Sequence, residues 1–170
     1  MDAPRGSRDL ALEVVRRASL PPTTSIATAE SCTGGLLAAI LTTVPGASAV
    51  FLGGIVAYSN AVKVSQLGVP ADLLKQVGAV SEEVASAMAR GVRRALGAHL
   101  GVGITGVAGP GHSDLKPPGL IYVALAWPGG TRCDRLTDDL GREGNRRAAT
   151  ALALQMLVNN LPATRASQAG

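Results

Sequence analysis

Two kinds of apolar pattern, short continuous runs and helical spacing, follow one another along the chain. In residues 8–18, apolar and charged positions alternate at helical spacing, and Pro21-Pro22 ends the predicted helix. Over residues 25–41, a short apolar run with β-branched side chains breaks into small polar residues and then resumes with helical spacing. This segment predicts a strand, a tight turn and a helix, with Gly34 and Gly35 allowing the backbone to bend.

The remaining segments continue the alternation of strands and helices. Residues 49–58 predict a second buried strand, whose internal glycines indicate a bulge or a close backbone approach. Other strands are predicted over residues 99–105, 120–127 and 131–137, the last two joined by a hairpin-like turn. Other helices are predicted through residues 63–67 with Ser59 or Asn60 as cap, from Pro70, from Ser81, and over residues 142–161.

This order of elements determines the predicted fold. Strands that alternate with helices and end in a hairpin predict a three-layer α/β/α sandwich on a mixed, mostly parallel sheet. The chain is predicted to form one domain, residues 1–170, with a frayed tail from residue 162. Hydrophobic residues make up 46% of the chain but aromatic residues only 2%, so the core consists of small and aliphatic side chains. Helices are therefore expected to pack closely on the sheet.

The charge pattern favours a small anionic ligand over nucleic acid. The net charge is +4, but the lysines are limited to Lys63, Lys75 and Lys116, so the chain has no lysine-rich block. Few aromatic side chains are available to stack against bases, which further disfavours nucleic-acid binding.

The cysteines and the hydropathy pattern indicate the expected compartment. Cys32 and Cys133 have no metal-type spacing, and two cysteines do not form a disulfide framework. No charged leader opens the chain, and no apolar run has the length of a membrane span. We therefore expect a soluble, unprocessed cytoplasmic protein with reduced thiols, no metal site and no membrane association.

Three polar residues follow predicted parallel strands, at the edge where α/β sheets usually bind ligands. Ser31, Tyr58 and Thr105 come from three different strand ends and are expected to converge on one crevice. Ser31 is also predicted to lie at a helix N-terminus, whose unpaired N–H groups favour an anion or an oxyanion. Alternatively, the serine and threonine of this turn only cap the helix.

A nucleophilic serine needs a base, and the sequence offers three candidates. His99 opens a strand, which is typical of a packed or surface histidine. His112 lies in the long glycine- and proline-rich loop over residues 106–119, a segment that is either functional or disordered. Lys63 follows Tyr58 among small residues, and a partly buried lysine can lose its proton near neutral pH. A solvent-facing helix position is the alternative for Lys63.

Four separated motifs carry a resemblance to a known family. They are TAESCTGG at residues 28–35, GGIVAYSN at 53–60 with Lys63, GAVSEEV at 78–84 and GITGVAGPG at 103–111. In this order they resemble the CinA C-terminal-domain family, whose fold is likewise a three-layer sandwich on a mixed sheet. The resemblance implies a nicotinamide-nucleotide amidase, which hydrolyses nicotinamide mononucleotide to nicotinate mononucleotide and ammonia without metal or cofactor.

The resemblance also implies roles for individual residues. Ser31 matches the nucleophile and Lys63 its base, with Tyr58 beside them; Cys32 is the next nucleophile to consider. Backbone N–H groups around Cys32 to Gly34 are expected to hold the oxyanion. The implied substrate-binding residues are Glu30, Cys32, Thr33, Gly34, Gly35, Asn60, Thr105, Gly106, Gly109, Gly111, Arg142 and Arg146.

The chain departs from the family pattern in ways that leave several questions open. The segment at residues 139–146 keeps two arginines but lacks the acid of the usual Gly-Asp-Arg, so either Arg142 or Arg146 is the phosphate ligand. Leu120 replaces a common threonine. Many members carry an additional N-terminal domain, so only the amidase half of their activities is expected here.

Other function classes and the assembly state also stay open. One alternative is a protein that binds pyridine nucleotides without hydrolysing them, and another is a competence-associated or DNA-damage-associated interaction protein. Alanine- and glycine-rich helix faces favour a homo-oligomer, with a dimer as one form.

Overall fold

The structure, a computed structural model, describes residues 6–113 and 115–163. Its helices are α1 (Ser7–Ala18), α2 (Leu36–Thr42), α3 (Asn60–Leu67), α4 (Ala71–Val77), α5 (Glu82–Ala95) and α6 (Gly141–Asn160). Its strands are β1 (Ile26–Glu30), β2 (Phe51–Val56), β3 (Leu100–Gly106), β4 (Ile121–Trp127) and β5 (Gly130–Leu136). The tail predicted from residue 162 falls largely on residues 164–170, which lie outside the described residues.

The five strands form one mixed sheet in the order β2-β1-β3-β4-β5. β1 pairs in parallel with both β2 and β3, whereas β4 runs antiparallel to both β3 and β5. Four of the five strands therefore point in the same direction, and the predicted hairpin is the β4–β5 pair. The carboxyl ends of β1, β2 and β3 meet at one edge of the sheet, as the sequence predicted.

Helices cover both faces of this sheet, which confirms the predicted three-layer sandwich. α1, α2 and α6 pack on one face, around apolar side chains of β1, β3 and β4 such as Ile26, Ile104 and Val123. α3, α4 and α5 cover the other face, where Ala27 and Ala29 of β1 point. None of the helices in the described ranges combines the length and the apolar character needed to cross a membrane.

Very close contact between α5 and β3 explains why the core uses small residues. A Cβ atom at Gly101 would overlap the carbonyl oxygen of Ala89, and one at Gly103 would overlap that of Ala85. The backbones of helix and strand are therefore in direct contact, which only glycine in the strand permits. This packing positions β3, whose carboxyl end carries Thr105, firmly against α5.

The second strand differs from its prediction. The predicted segment 49–58 contains β2 only at Phe51–Val56, because a single 3₁₀ turn, Ala47–Ala49, precedes the strand. β2 is an edge strand rather than a buried one, and Leu52 and Val56 are each 50% exposed. The predicted bulge is confirmed, since the pairing register with β1 shifts next to Ile26. The predicted close approach is also confirmed, because a Cβ at Gly54 would lie 2.5 Å from the hydroxyl oxygen of Thr28.

Candidate active site

A pocket of about 470 Å³ lies at the shared carboxyl edge of β1, β2 and β3. Ser31, Tyr58 and Thr105 all line it, so the three strand ends converge as predicted. Lys63 also lines the pocket. The implied substrate-binding residues that it brings together are Cys32, Asn60, Thr105, Gly106, Gly109, Gly111 and Arg142.

Ser31 and Lys63 form a buried pair at the floor of the pocket. The Lys63 Nζ lies 3.1 Å from the Ser31 Oγ, 3.0 Å from the carbonyl oxygen of Ala57 and 3.3 Å from that of Tyr58. Lys63 is 2% exposed and Ser31 8% exposed. Among the described residues, no carboxylate forms an ion pair with Lys63. Burial lowers the pKa of Lys63 below its ordinary value, because the ammonium form loses its water.

The three partners of Lys63 determine the direction of the hydrogen bonds in the neutral form. A neutral amine has two N–H donors and one lone pair. The carbonyl oxygens of Ala57 and Tyr58 can only accept, so they take both N–H donors. The hydroxyl of Ser31 is then the one partner able to donate to the lone pair. The geometry therefore aims the Ser31 proton at Lys63 as soon as the amine is neutral.

Helix α3 places Lys63 in this position. The hydroxyl of Ser59 caps the helix by accepting the N–H of Val62 at 3.3 Å, which confirms Ser59 rather than Asn60 as the cap. Lys63 and Leu67 are the buried residues of α3, one turn apart on the face toward the core. The alternative of a solvent-facing lysine is therefore wrong.

The turn after β1 presents Ser31 and two backbone donors that have no oxygen acceptor in the described residues. Gly34 and Gly35 have φ of +61° and +93°, the left-handed conformation that glycine adopts readily. The Ser31 N–H donates to the carbonyl of Ile104, and the Gly34 N–H to the carbonyl of Ser31. Among the described residues, the N–H groups of Cys32 and Thr33 donate to no backbone or side-chain oxygen. These two donors directly follow Ser31 in the chain, where both approach the Cys32 sulfur and lower the pKa of its thiol, so an oxyanion has to take them from that sulfur.

Glu30 fills the helix N-terminus that the sequence assigned to a ligand. Helix α2 begins only at Leu36, and the N–H groups of Gly35, Leu37 and Ala38 donate to the Glu30 carboxylate at 2.9–3.1 Å. The prediction of free helix N–H groups at Ser31 is therefore wrong. Glu30 itself is 1% exposed and does not line the pocket, so the structure places it beneath the turn instead of against a substrate.

The back of the same turn is held by Arg146 of α6. Its Nε and a terminal nitrogen donate to the carbonyl of Thr33 at 3.3 and 3.0 Å, and its other terminal nitrogen contacts Glu143 at 3.1 Å. Thr33 is fully buried, and none of Thr33, Gly34, Gly35 and Arg146 lines the pocket. These four residues, which the resemblance implied as substrate ligands, therefore form the turn or hold it on the side away from the pocket.

The rim of the pocket is exposed and carries Tyr58 and Arg142. Tyr58 is 60% exposed, and its phenol oxygen accepts a hydrogen bond from Arg142 at 3.1 Å. Arg142 also donates to the carbonyl of Gly109 at 2.7 Å. Tyr58 therefore meets Lys63 through its carbonyl and Arg142 through its hydroxyl. Of the two candidate arginines, Arg142 is the one at the pocket.

Two residues that sequence reasoning did not single out fix the loop after β3. Asn145 is 1% exposed, donates to the carbonyl of Ala108 at 3.0 Å and accepts the N–H of Leu140 at 2.8 Å. It shares the buried face of α6 with Ala149 and Ala153, and a polar residue at that spacing is the signal that could have revealed it. Lys116 donates to the carbonyls of Val77 and Val80 across the loop.

A side-chain hydrogen bond also connects the end of β3 to the segment before α5. The hydroxyl of Thr105 donates to the carbonyl of Ala79 at 2.8 Å, so its proton is already used inside the protein. Thr105 is 1% exposed at the pocket wall. Its hydroxyl can therefore only accept from a ligand.

The remaining nucleophile and base candidates fit less well. His99 is exposed, and the hydroxyl of Ser25 lies 2.8 Å from its Nδ1, which confirms that His99 is a surface residue away from the pocket. His112 lines the pocket in an exposed position. Burial raises the pKa of the Cys32 thiol to about 12, which keeps it protonated. In the described residues, no group of His, Cys, Asp and Glu side chains could hold a metal ion.

Comparison with known proteins identifies the family. Residues 8–161 match the model of the CinA C-terminal domain. The chain belongs to this family. A competence-damage inducible protein described as putative from Moorella thermoacetica is 48% identical over 160 residues, which cover 93% of this chain and 39% of that protein. A CinA-like protein from Myxococcus xanthus is 47% identical over 158 residues, covering 92% of this chain and 37% of the relative.

Solved structures of the CinA family share the fold over most of their length. The competence/damage inducible protein CihA from Agrobacterium tumefaciens is 38% identical, with a TM-score of 0.86 over 94% of this chain and 98% of that chain. A CinA superfamily protein from Enterobacter cloacae is 28% identical, with a TM-score of 0.90 over 95% and 96%. By contrast, the chain spans about a third of the length of the curated relatives it matches.

Proposed function

We propose that this CinA-family chain is an amidohydrolase that converts nicotinamide mononucleotide and water to nicotinate mononucleotide and ammonia. The observation that carries the proposal is the buried Ser31–Lys63 pair, with 3.1 Å between Oγ and Nζ and no ion-pair partner for the lysine in the described part of the chain. Binding alone requires neither a nucleophile nor a desolvated base. The choice of substrate comes from the family resemblance, and we expect the reaction to take place in the cytoplasm.

The reaction follows from the donors and acceptors on the pocket floor. Neutral Lys63 takes the proton of Ser31, whose Oγ bonds to the carboxamide carbon as its C=O double bond opens. The N–H groups of Cys32 and Thr33 hold the resulting oxyanion. The C=O double bond re-forms as the C–N bond breaks, and the proton that Lys63 took from Ser31 passes to the leaving ammonia, either directly or through the Tyr58 hydroxyl, so that Lys63 is neutral again. Lys63 then takes a proton from water, whose oxygen attacks the acyl–Ser31 ester, and returns that proton to the Ser31 oxygen as the ester bond breaks.

Arg142 is the residue best placed to recognise a phosphate at the rim. Two of the five N–H donors of its guanidinium are used by Gly109 and Tyr58, so the others are available for a bidentate contact. Arg146 is unsuited because Thr33 and Glu143 already occupy its guanidinium behind the turn. The pocket thus offers a nucleophile at its floor and a cation at its mouth, which suits a carboxamide linked to an anion.

Ammonia release from nicotinamide mononucleotide, without added metal, tests this proposal. We expect turnover by the wild type and its loss in Ser31→Ala and in Lys63→Ala, with Lys75→Ala as control. Lys75 is an exposed lysine of α4 that pairs with Asp72 outside the pocket. Calorimetric binding of the nucleotide without ammonia release would contradict the proposal and identify a binding module instead.

The names of the relatives motivate one further outcome for this test. They describe competence-damage inducible proteins, and a salt-sensitive complex with DNA in place of amidase activity would favour an interaction protein. The homo-oligomer predicted from small-residue helix faces, with a dimer as one form, stays a prediction, which sedimentation of the purified protein tests directly.

A further inference from the structure

Arg142 connects two segments that face each other across the pocket mouth. It lies in the first turn of α6, and its two terminal nitrogens donate to different segments: one to the Gly109 carbonyl in the loop after β3, the other to the Tyr58 hydroxyl after β2. Three separate parts of the chain therefore meet at one guanidinium. A planar fork of donors is suited to such a bridge, whereas a lysine ammonium has no comparable geometry.

The charge of Arg142 has no acidic partner in the described parts of the chain. The carboxylate of Glu143, its neighbour, binds Arg146 and Arg147. The Asp139 Oδ1 accepts from Asn145 at 2.8 Å and from the Gly141 N–H at 3.0 Å. Both acceptors of Arg142 are neutral oxygens, so the bridge does not form through an ion pair.

The bridge matters most for Tyr58. Its side chain is 60% exposed, and in the described residues the contact with Arg142 is the one hydrogen bond of its phenol. A half-exposed ring without that contact would sample several rotamers. Because a guanidinium only donates, the phenol oxygen accepts from Arg142 and keeps its own proton free for a ligand.

We propose that Arg142 is a positioning residue, which holds the Tyr58 hydroxyl and the Gly109 loop in the arrangement that the amidase reaction requires. This inference rests on the proposed function, in which Tyr58 can donate a proton to the leaving ammonia. It gives Arg142 a role in turnover that is separate from any contact with the phosphate of the substrate. The two roles predict different kinetics.

A double-mutant cycle at saturating nucleotide separates these roles. We expect Arg142→Gln to lower kcat about tenfold, because the hydrogen bond to Tyr58 is lost, and Tyr58→Phe to lower it by a similar factor. The double variant should have the kcat of the slower single variant, since each substitution removes the same contact. Arg147→Gln is the matched control, an exposed arginine of α6 that pairs with Glu143 outside the pocket.

Two kinetic results would overturn the inference. If Arg142→Gln raises KM and leaves kcat unchanged, Arg142 acts through the substrate anion only. If the losses in the two single variants multiply in the double variant, Arg142 and Tyr58 act independently.

Fluorine NMR of the ligand-free protein tests the contact without relying on turnover. The chain has two tyrosines, so 3-fluorotyrosine gives two sites, and Tyr58→Phe assigns one of them. We expect Arg142→Gln, and not Arg147→Gln, to shift the Tyr58 resonance toward that of a free, mobile ring while the Tyr122 resonance stays in place. An unchanged Tyr58 resonance would refute the contact and with it the inference. Absent wild-type ammonia release with a shifted resonance would refute the proposed function, and the contact between Arg142 and Tyr58 would still stand.

Discussion

The floor of the pocket and its rim use their cations in opposite ways. At the floor, Lys63 is 2% exposed and bonded to two carbonyl oxygens and the Ser31 hydroxyl. At the rim, Arg142 stays in contact with water and bonds to Gly109 and Tyr58. Neither cation has a carboxylate partner among the described residues, and burial lowers the pKa of Lys63.

The difference shows how one pocket can separate reactivity from recognition. A lysine acts as a base near neutral pH only if loss of water lowers the pKa of its ammonium group. Lys63 therefore has to lie in the core, where α3 and the ends of β1 and β2 enclose it. An anion-binding cation requires its charge, and the guanidinium keeps that charge in any surroundings. Variants of the floor should therefore affect kcat together with its pH dependence, whereas variants of the rim change kcat or KM and leave the pH dependence in place.

Replacement of Lys63 gives the largest expected effect. Lys63→Met keeps the length of the side chain and removes the base, so we expect kcat to fall by roughly 10²–10⁴-fold. Stability should stay the same or rise, because an apolar side chain avoids the burial of a charge without an acidic partner. Turnover and urea unfolding measure the two effects, with Lys75→Met as an exposed control that changes neither.

A loss of stability with full activity in Lys63→Met would reverse this assignment. Lys63 would then be a structural side chain that holds the carbonyls of Ala57 and Tyr58.

The second largest expected effect is a difference between floor and rim variants in how stability and kcat/KM depend on pH. The pKa of Lys63 lies below its ordinary 10.5, so between the two values the unfolded chain binds more protons than the folded one. Stability therefore rises with pH across that window. By contrast, kcat/KM rises by up to about tenfold per pH unit below the folded-state pKa of Lys63 and levels off above it, where the amine is already neutral. We expect Lys63→Met to abolish the Lys63 part of the stability slope, whereas Arg142→Gln leaves both slopes in place.

Urea unfolding at several pH values and a pH–rate profile of the wild type measure these slopes. If kcat/KM instead falls as the pH rises through the folded-state pKa of Lys63, the ammonium, not the amine, is the active form.

Substitution of Glu30 tests whether the pocket floor depends on the hydrogen bonds that the Glu30 carboxylate accepts from the turn and from α2. Glu30→Gln replaces an acceptor by a donor facing one of the N–H groups of Gly35, Leu37 and Ala38. We expect a loss of about 1–3 kcal/mol in the free energy of unfolding and a lower kcat, because the turn that carries Ser31 shifts. Glu13→Gln, at the surface of α1, should lose less than about 1 kcal/mol.

Equal losses of stability in the two glutamate variants, with kcat unchanged in Glu30→Gln, would show that the turn holds its shape without this carboxylate.

Glu30 also shows what the sequence could and could not predict. The strand, turn and helix around Ser31 follow from local apolar spacing, and so do the sheet and the meeting of three strand ends. The free helix N-terminus was predicted because strand–turn–helix connections commonly bind anions there. The sequence could not show that a glutamate of the same connection folds back onto those N–H groups, since that contact depends on the path of the turn.

Lys63 and β2 also show which properties the local sequence pattern could not predict. Lys63 and Leu67 share one helix face, but only tertiary packing decides that this face is buried. β2 has an apolar sequence typical of a central strand, yet it lies at the sheet edge, because strand order depends on how the connections cross the sheet. Burial of side chains is therefore the property that local patterns predicted least well.

Cys32 should give the smallest effect, and it sharpens the assignment of the nucleophile. It adjoins Ser31 and lines the same pocket, but burial raises its pKa to about 12, so at pH 8 roughly one thiol in 10⁴ is ionised. We expect Cys32→Ala to keep kcat within about threefold, and iodoacetamide to modify Cys32 more slowly than an ordinary surface thiol. A strong loss of turnover in Cys32→Ala, with activity retained in Ser31→Ala, would instead make the thiol the nucleophile. The floor would then be an electropositive site that ionises Cys32, the reverse of a desolvated environment that raises the pKa of the thiol and lowers that of the lysine.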